Sequence, residues 1–188
     1  SNFSVAQSNP LGFTGDRDTS AEPFVYVGPA PIPTPAPSYI QRVDLGGTVN
    51  FTDSAGNVWS PDRAYTTGGY GYVGGANFTG DRVSPTDGVL YRTTRYGSSF
   101  GYNFTVPNGT YNVTLKLAEV RSASCVIGAR VFNVSAEGTQ VISSNDTFAR
   151  VGCGVTGDRS FTTTVNDGVL NINFITVSGY AAVNGVEV

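Results

Sequence analysis

Phe100-Gly101-Tyr102-Asn103-Phe104-Thr105-Val106, then Pro107-Asn108-Gly109-Thr110, then Tyr111-Asn112-Val113-Thr114-Leu115-Lys116-Leu117-Ala118-Glu119-Val120 is the stretch on which the fold turns. On both sides of the Pro-Asn-Gly break, large apolar residues alternate with polar ones. Phe100, Tyr102 and Phe104 therefore share one face, and Asn103 and Thr105 the other. A period of two is the pattern of a half-buried strand, and Pro-Asn-Gly is a chain-reversing sequence. The reading is two strands flanking a tight turn, with Asp167-Gly168 as another hairpin signal.

Similar short runs follow at Ala129 to Ala136, Ser160 to Val165, Val169 to Val177 and Ala182 to Val188. Together they predict eight to ten strands and an all-β fold, an antiparallel jelly-roll β-sandwich. Composition agrees: of 188 residues only 13% are charged, while 24 are Gly and 21 are Tyr or Phe, a balance that favours strands and tight turns.

The same numbers exclude function classes. A formal net charge of −3 with eleven scattered Lys and Arg offers no basic stripe for phosphates, so no nucleic-acid partner is expected. No apolar run approaches the roughly 20 residues that span a bilayer, so no membrane insertion is expected either. The chain holds no His, which removes Ser-His and Cys-His nucleophiles and His-containing metal sites. Asp44, Asp53, Asp62, Asp81, Asp87 and Glu119 remain as carboxylates for glycoside hydrolysis, but nothing in the sequence pairs them at a cleft. The expectation is a protein without catalytic residues, metal or cofactor. Asp53-Ser54-Ala55-Gly56 reads as an Asx turn in preference to a calcium loop.

Cys125 and Cys153 form an even pair in a chain with no Met, and an extracellular disulfide is the economical reading, with two buried thiols as the alternative. Ser1 reads as a processed N-terminus, since Ser1-Asn2-Phe3-Ser4 lacks signal-peptide character. The acceptor pattern Asn-x-Ser/Thr occurs at Asn2, Asn50, Asn77, Asn103, Asn108, Asn112, Asn133 and Asn145, which points to covalent glycans on a secreted, extracellular protein. Four of these read Asn-Phe-Ser or Asn-Phe-Thr, placing Asn outward and Phe inward on a strand. The alternative is that Asn and Thr simply suit exposed strand faces.

Pro29-Ala30-Pro31-Ile32-Pro33-Thr34-Pro35-Ala36-Pro37 divides the chain. Each Pro lacks an amide donor, so residues 29–38 read as an extended polyproline II linker between an N-terminal tail, 1–28, and a domain, 39–188. The tail carries Phe3, Val5, Leu11, Phe13, Phe24, Val25, Tyr26 and Val27, more apolar content than a solvated tail holds. It also imitates its own domain. Phe13-Thr14-Gly15-Asp16-Arg17 followed by Phe24-Val25-Tyr26 parallels Phe78-Thr79-Gly80-Asp81-Arg82 followed by Val89-Leu90-Tyr91, and Thr-Gly-Asp-Arg recurs at 156–159.

Val43-Asp44-Leu45-Gly46-Gly47, Trp59, Asp62, Gly68-Gly69, Leu90-Tyr91-Arg92-Thr93-Thr94-Arg95-Tyr96-Gly97, Asn108-Gly109-Thr110-Tyr111, Leu115-Lys116-Leu117-Ala118-Glu119, Arg130-Val131-Phe132-Asn133-Val134 and the closing Asn184-Gly185-Val186-Glu187-Val188 stand in an order that resembles the malectin-like carbohydrate-binding domains. The resemblance spans nearly all of 39–188 and implies a jelly-roll sandwich with a sugar site of aromatic rings and a carboxylate at one end. Tyr96 matches that site well and one of Tyr70 or Tyr72 loosely. A Tyr-Phe pair of the family is replaced by Arg121-Ser122, and Ala181-Ala182 stands where its carboxylate belongs.

Two functions follow from this reading. The first is a structural subunit of an extracellular glycosylated fibre, a homopolymer assembled head-to-tail when each tail donates a strand to its neighbour. The alternative is a secreted module that binds oligosaccharides through Tyr70, Tyr72 and Tyr96.

Overall fold

The computed structural model describes residues 38–82 and 88–188. The tail and the linker as far as Pro37 lie outside them, as do the sequon at Asn2 and the residue Asp87.

Fourteen strands form among the described residues: β1 (Arg42–Asp44), β2 (Phe51–Thr52), β3 (Val58–Pro61), β4 (Tyr70–Val73), β5 (Ala76–Thr79), β6 (Thr93–Gly97), β7 (Ser99–Thr105), β8 (Gly109–Lys116), β9 (Val131–Ala136), β10 (Thr139–Asn145), β11 (Arg159–Val165), β12 (Val169–Ser178), β13 (Ala181–Val183) and β14 (Gly185–Glu187). One short helix, α1 (Thr147–Val151), follows β10, with Asp146 as its N-cap accepting from the Ala149 amide.

A six-stranded sheet in the order β11-β8-β14-β1-β3-β2 faces a five-stranded sheet in the order β10-β9-β12-β7-β4. Their inner residues make one core: Val43, Val113, Leu115, Val165 and Val186 from the first pack with Phe100, Tyr102, Phe104, Phe132, Leu170, Ile172 and Phe174 from the second. Phe100 and Phe174, opposite each other in the β7–β12 ladder, stack with centroids 4.7 Å apart. The alternation read from the sequence is thus the division between core and surface of an all-β sandwich.

Besides the strand number, fourteen among the described residues against the eight to ten expected, three expectations need correction. The two turn signals do not close hairpins: β7 pairs with β12 and β4, while β8 pairs with β11 and β14 in the opposite sheet. Asp167-Gly168 likewise carries the chain from β11 in one sheet to β12 in the other. The two crossings lie side by side, joined by Val106 N to Gly168 O at 3.0 Å and Asn108 Nδ2 to Asn166 O at 2.9 Å. Turn chemistry reverses the chain equally well within a sheet or between two sheets. Second, Ala182 to Val188 is two strands, because the buried Asn184 interrupts it. Third, not all pairing is antiparallel: β1 and β3 run parallel, and among the described residues Ala64 with Tyr72 and Glu119 with Cys153 form isolated parallel bridges.

A third, three-stranded sheet, β13-β6-β5, stands beside the sandwich. Asn184 anchors it: its Nδ2 donates to Tyr91 O at 2.9 Å and Thr93 O at 3.0 Å, and its Oδ1 accepts from the Ala118 amide at 2.8 Å. Below it, Arg95 and Asp62 form a 2.8 Å ion pair, and the Tyr102 hydroxyl donates to Asp62 Oδ1.

Candidate functional site

Strand β6 carries Tyr96, opposed in the ladders by Ala76 of β5 and Ala182 of β13. Two small neighbours leave the phenol half-buried, not enclosed. Phe78 of β5 approaches it edge-on, with centroids 6.4 Å apart and an interplanar angle of 85°. Tyr180, in the turn before β13, does so from the other side at 5.8 Å and 77°. With Arg121 and Arg130 these rings line a cavity of about 290 Å³.

The cavity's polar wall comes from the segment after β8. Glu119, 5% exposed, holds Arg130 as an ion pair with Nε 3.0 Å from Oε2, and its Oε1 accepts from the Arg121 amide at 3.0 Å. Burial pushes the Glu119 carboxyl up and the Arg130 guanidinium down, and their mutual attraction opposes both shifts. Arg121 has no carboxylate partner among the described residues. Its guanidinium lies 5.9 Å from the Phe78 ring centroid.

That segment is held from two sides. The Cys125–Cys153 disulfide is formed, with Cα atoms 5.4 Å apart, and next to it Gly154 N donates to Glu119 O at 2.8 Å. Both described copies of Thr-Gly-Asp-Arg grip the same segment. Asp81 Oδ1 accepts from the Ser122 amide and Arg82 N donates to Val120 O, while Asp158 Oδ1 accepts from the Leu117 amide and Gly157 N donates to Leu117 O. At Gly80 a side chain would collide with Val120, so the close approach depends on glycine.

Of the three tyrosines named from the sequence, Tyr96 alone reaches this cavity. Tyr70 is buried at 8% exposure, stacked at 6.3 Å on Phe104, with its hydroxyl donating to Pro61 O, so it is a core residue and not a ligand contact. Tyr72 is half-buried and covered by Arg95, whose guanidinium carbon sits 3.3 Å from the ring centroid. Phe78, Tyr180 and Arg130 were not singled out as contacts. Residues 78, 96 and 180 meet only through ladders β5–β6 and β6–β13, which no local pattern encodes.

Asp53 does cap its own turn. Its carboxylate accepts from the amides of Ala55 and Asn57, from Asn57 Nδ2 and from Trp59 Nε1. Among the sequons, Asn50, Asn77, Asn108 and Asn112 are exposed and Asn103 and Asn133 are half-buried. Asn145 must be withdrawn as a glycan acceptor: it is 1% exposed, and its Nδ2, the atom a glycan would join, donates to Thr147 Oγ1 at 3.0 Å. Val89-Leu90-Tyr91, the domain counterpart of the tail, is a turn with Leu90 and Tyr91 buried, not a strand.

A family model described as Malectin domain matches residues 39–186. Malectin-B of Xenopus laevis is 36% identical over 93 residues, which are 48% of this chain and 33% of that protein. Malectin of Danio rerio is 34% identical over 141 residues, 71% of this chain and 47% of its own length. The chain thus spans a third to about half of these relatives. Among solved structures, a beta-glucuronidase of Bacteroides uniformis superposes with a TM-score of 0.70 at 25% identity, over 79% of this chain and 18% of that one. The plant receptor-like kinase FER does so with a TM-score of 0.65 at 22% identity, over 79% and 41%, a likeness of fold alone.

Proposed function

Because the chain belongs to the malectin domain family, we propose that it is an extracellular carbohydrate-binding module, without catalysis, that holds an oligosaccharide in the cavity around Tyr96. The observation that carries this is the open cluster of Phe78, Tyr96 and Tyr180 beside two guanidinium groups. Sugar rings present apolar C–H faces that pack on aromatic rings, and their hydroxyls need fixed hydrogen-bonding partners, here Tyr96, Arg121 and Arg130. Glu119 keeps Arg130 in place through their ion pair. Calorimetric titration with gluco-oligosaccharides tests the reading. Binding that falls at least roughly tenfold in both Tyr96→Ala and Tyr180→Ala supports it, and no binding by the wild type across a glycan array ends it.

Head-to-tail assembly into a glycosylated fibre is a second reading, favoured by one observation. The tetrapeptide that recurs in the tail at 14–17 grips the Leu117–Ser122 segment at both of its described copies. A tail bearing the same tetrapeptide would compete for the equivalent segment of a neighbouring molecule with that molecule's own copies. Electron microscopy of the intact chain beside one lacking residues 1–37 decides: fibres from the first alone support assembly, and dispersed particles from both dismiss it. Glycans on Asn108 and Asn112 would be compatible with either function.

A further inference from the structure

We propose a second binding site, for a neutral sugar ring, in a cavity floored by Asp44 on the opposite face of the three-stranded sheet from Tyr96. Neighbouring residues of a strand point to opposite faces, and β5 places Phe78 in the Tyr96 cavity and Thr79 in this one. On β6, Tyr96 and Thr93 divide the same way. The second cavity measures about 330 Å³, and its wall includes Thr48, Asn50, Phe51, Thr79 and Thr93. That volume lies within the range of small-molecule sites, roughly 300–1,000 Å³.

Asp44 makes the cavity more than a surface dimple. It is 3% exposed, yet among the described residues the Thr93 hydroxyl, at 3.0 Å from Oδ1, is the one group that donates to its carboxylate. An ionised carboxyl has about four acceptor positions, and burying them unfilled is costly. Burial, with Asp62 nearby, raises its pKa to about 7 despite the Thr93 bond. The backbone is shaped around the under-used oxygens: a side chain on Gly47 would overlap the Asp44 carboxylate. A buried acid that lines a cavity with unfilled acceptor positions is a candidate binding group.

The chemistry of the wall selects the ligand class. A metal ion lacks partners, since no three acidic or sulfur ligands cluster among the described residues. An ammonium ligand would meet Arg92 in the same wall. A sugar ring suits what remains: hydroxyl donors for Asp44, hydroxyl and amide partners in Thr48, Asn50 and Thr79, and an apolar face for the half-buried ring of Phe51.

The test is amide NMR on the intact chain titrated with methyl glucoside, galactoside and mannoside, in wild type, Asp44→Asn and Tyr96→Ala. The expected result is movement of amides 46–51 and 93 by one of the sugars, weakened at least roughly tenfold in Asp44→Asn and unchanged in Tyr96→Ala. If Asp44→Asn fails to fold, Asn50→Ala on the exposed rim replaces it, with the same expected loss. Shifts confined to residues around Tyr96, or no shift with any probe, overturn the proposal. The first of those outcomes leaves the Tyr96 site standing, so the two sites succeed or fail separately.

Discussion

Arg95 and Asp62 meet at 2.8 Å with both side chains 3% exposed, directly beneath the sheet that carries Tyr96. The guanidinium is otherwise bonded to Gly74 O, Gly75 O, Asn77 Oδ1 and the Tyr102 hydroxyl, and it covers the Tyr72 ring. The pair is thus a fully enclosed pin between β6, β7 and the segment after β3. Removing one partner strands a buried charge, which costs about 3–5 kcal/mol. Asp62→Ala should therefore lower the melting temperature by about 10 °C, measured by circular dichroism. A change of under about 2 °C would mean that the pair is hydrated and structurally dispensable.

Asn184 should be as sensitive. Replacing it with Ala leaves the Tyr91 and Thr93 carbonyls and the Ala118 amide without their partner, at about 1–3 kcal/mol each where no water enters. Urea unfolding of Asn184→Ala should show a loss of several kcal/mol. Hydrogen exchange should quicken first in β13 and β6.

Loss of the Cys125–Cys153 bond frees a loop of 28 residues, a change worth about 3.5 kcal/mol by chain entropy. The paired Cys125→Ala and Cys153→Ala variant should lose about that much stability. It should also bind sugar more weakly than the wild type, because Glu119 and Arg121 stand on the tethered segment. Unchanged affinity would show that the segment holds its shape without the tether.

Asp44 makes stability depend on pH. Its folded pKa of about 7 lies above the model-peptide value near 3.8, so between those values the native state holds the proton more tightly than the unfolded chain. Its contribution is complete below about pH 4 and is lost as the pH rises through about 7. The loss is of order 4 kcal/mol for a shift of this size. Asp44→Asn should flatten this part of the curve of stability against pH. An unchanged slope would mean that the Thr93 hydroxyl and the spacing from Asp62 keep Asp44 at its ordinary value.

The strands were legible in the chain where burial is one-sided. Phe100, Tyr102 and Phe104, and Leu170, Ile172 and Phe174, alternate because one face meets the core. The pairing was not legible. Pro107-Asn108-Gly109 and Asp167-Gly168 mark reversals, but the partner of β8 is β11, some fifty residues away, and nothing local to either turn names it. The very short strands were legible only in part: β13 and β14 read as the single run Ala182 to Val188, and β2 exists because β3 supplies its hydrogen bonds, not because two residues prefer extension.

The candidate site divides in the same way. Tyr96 matched by resemblance and one of Tyr70 or Tyr72 only loosely, and the sequence could not show that Phe104 and Pro61 enclose Tyr70 in the core. Asn145 satisfied the acceptor pattern as well as Asn50 did, and only burial separates them.

By itself the sequence determined the fold class, the family, the lack of imidazole in this chain and an even pair of cysteines able to join. Those depend on residue identity and on a period of two, which are local properties. The tertiary structure decided which aromatics share a cavity, which sequons face water, and that Asp44 lies buried beside the Thr93 hydroxyl. Each of these depends on strands distant in sequence being brought into register, and that register is set by the packing of the whole core.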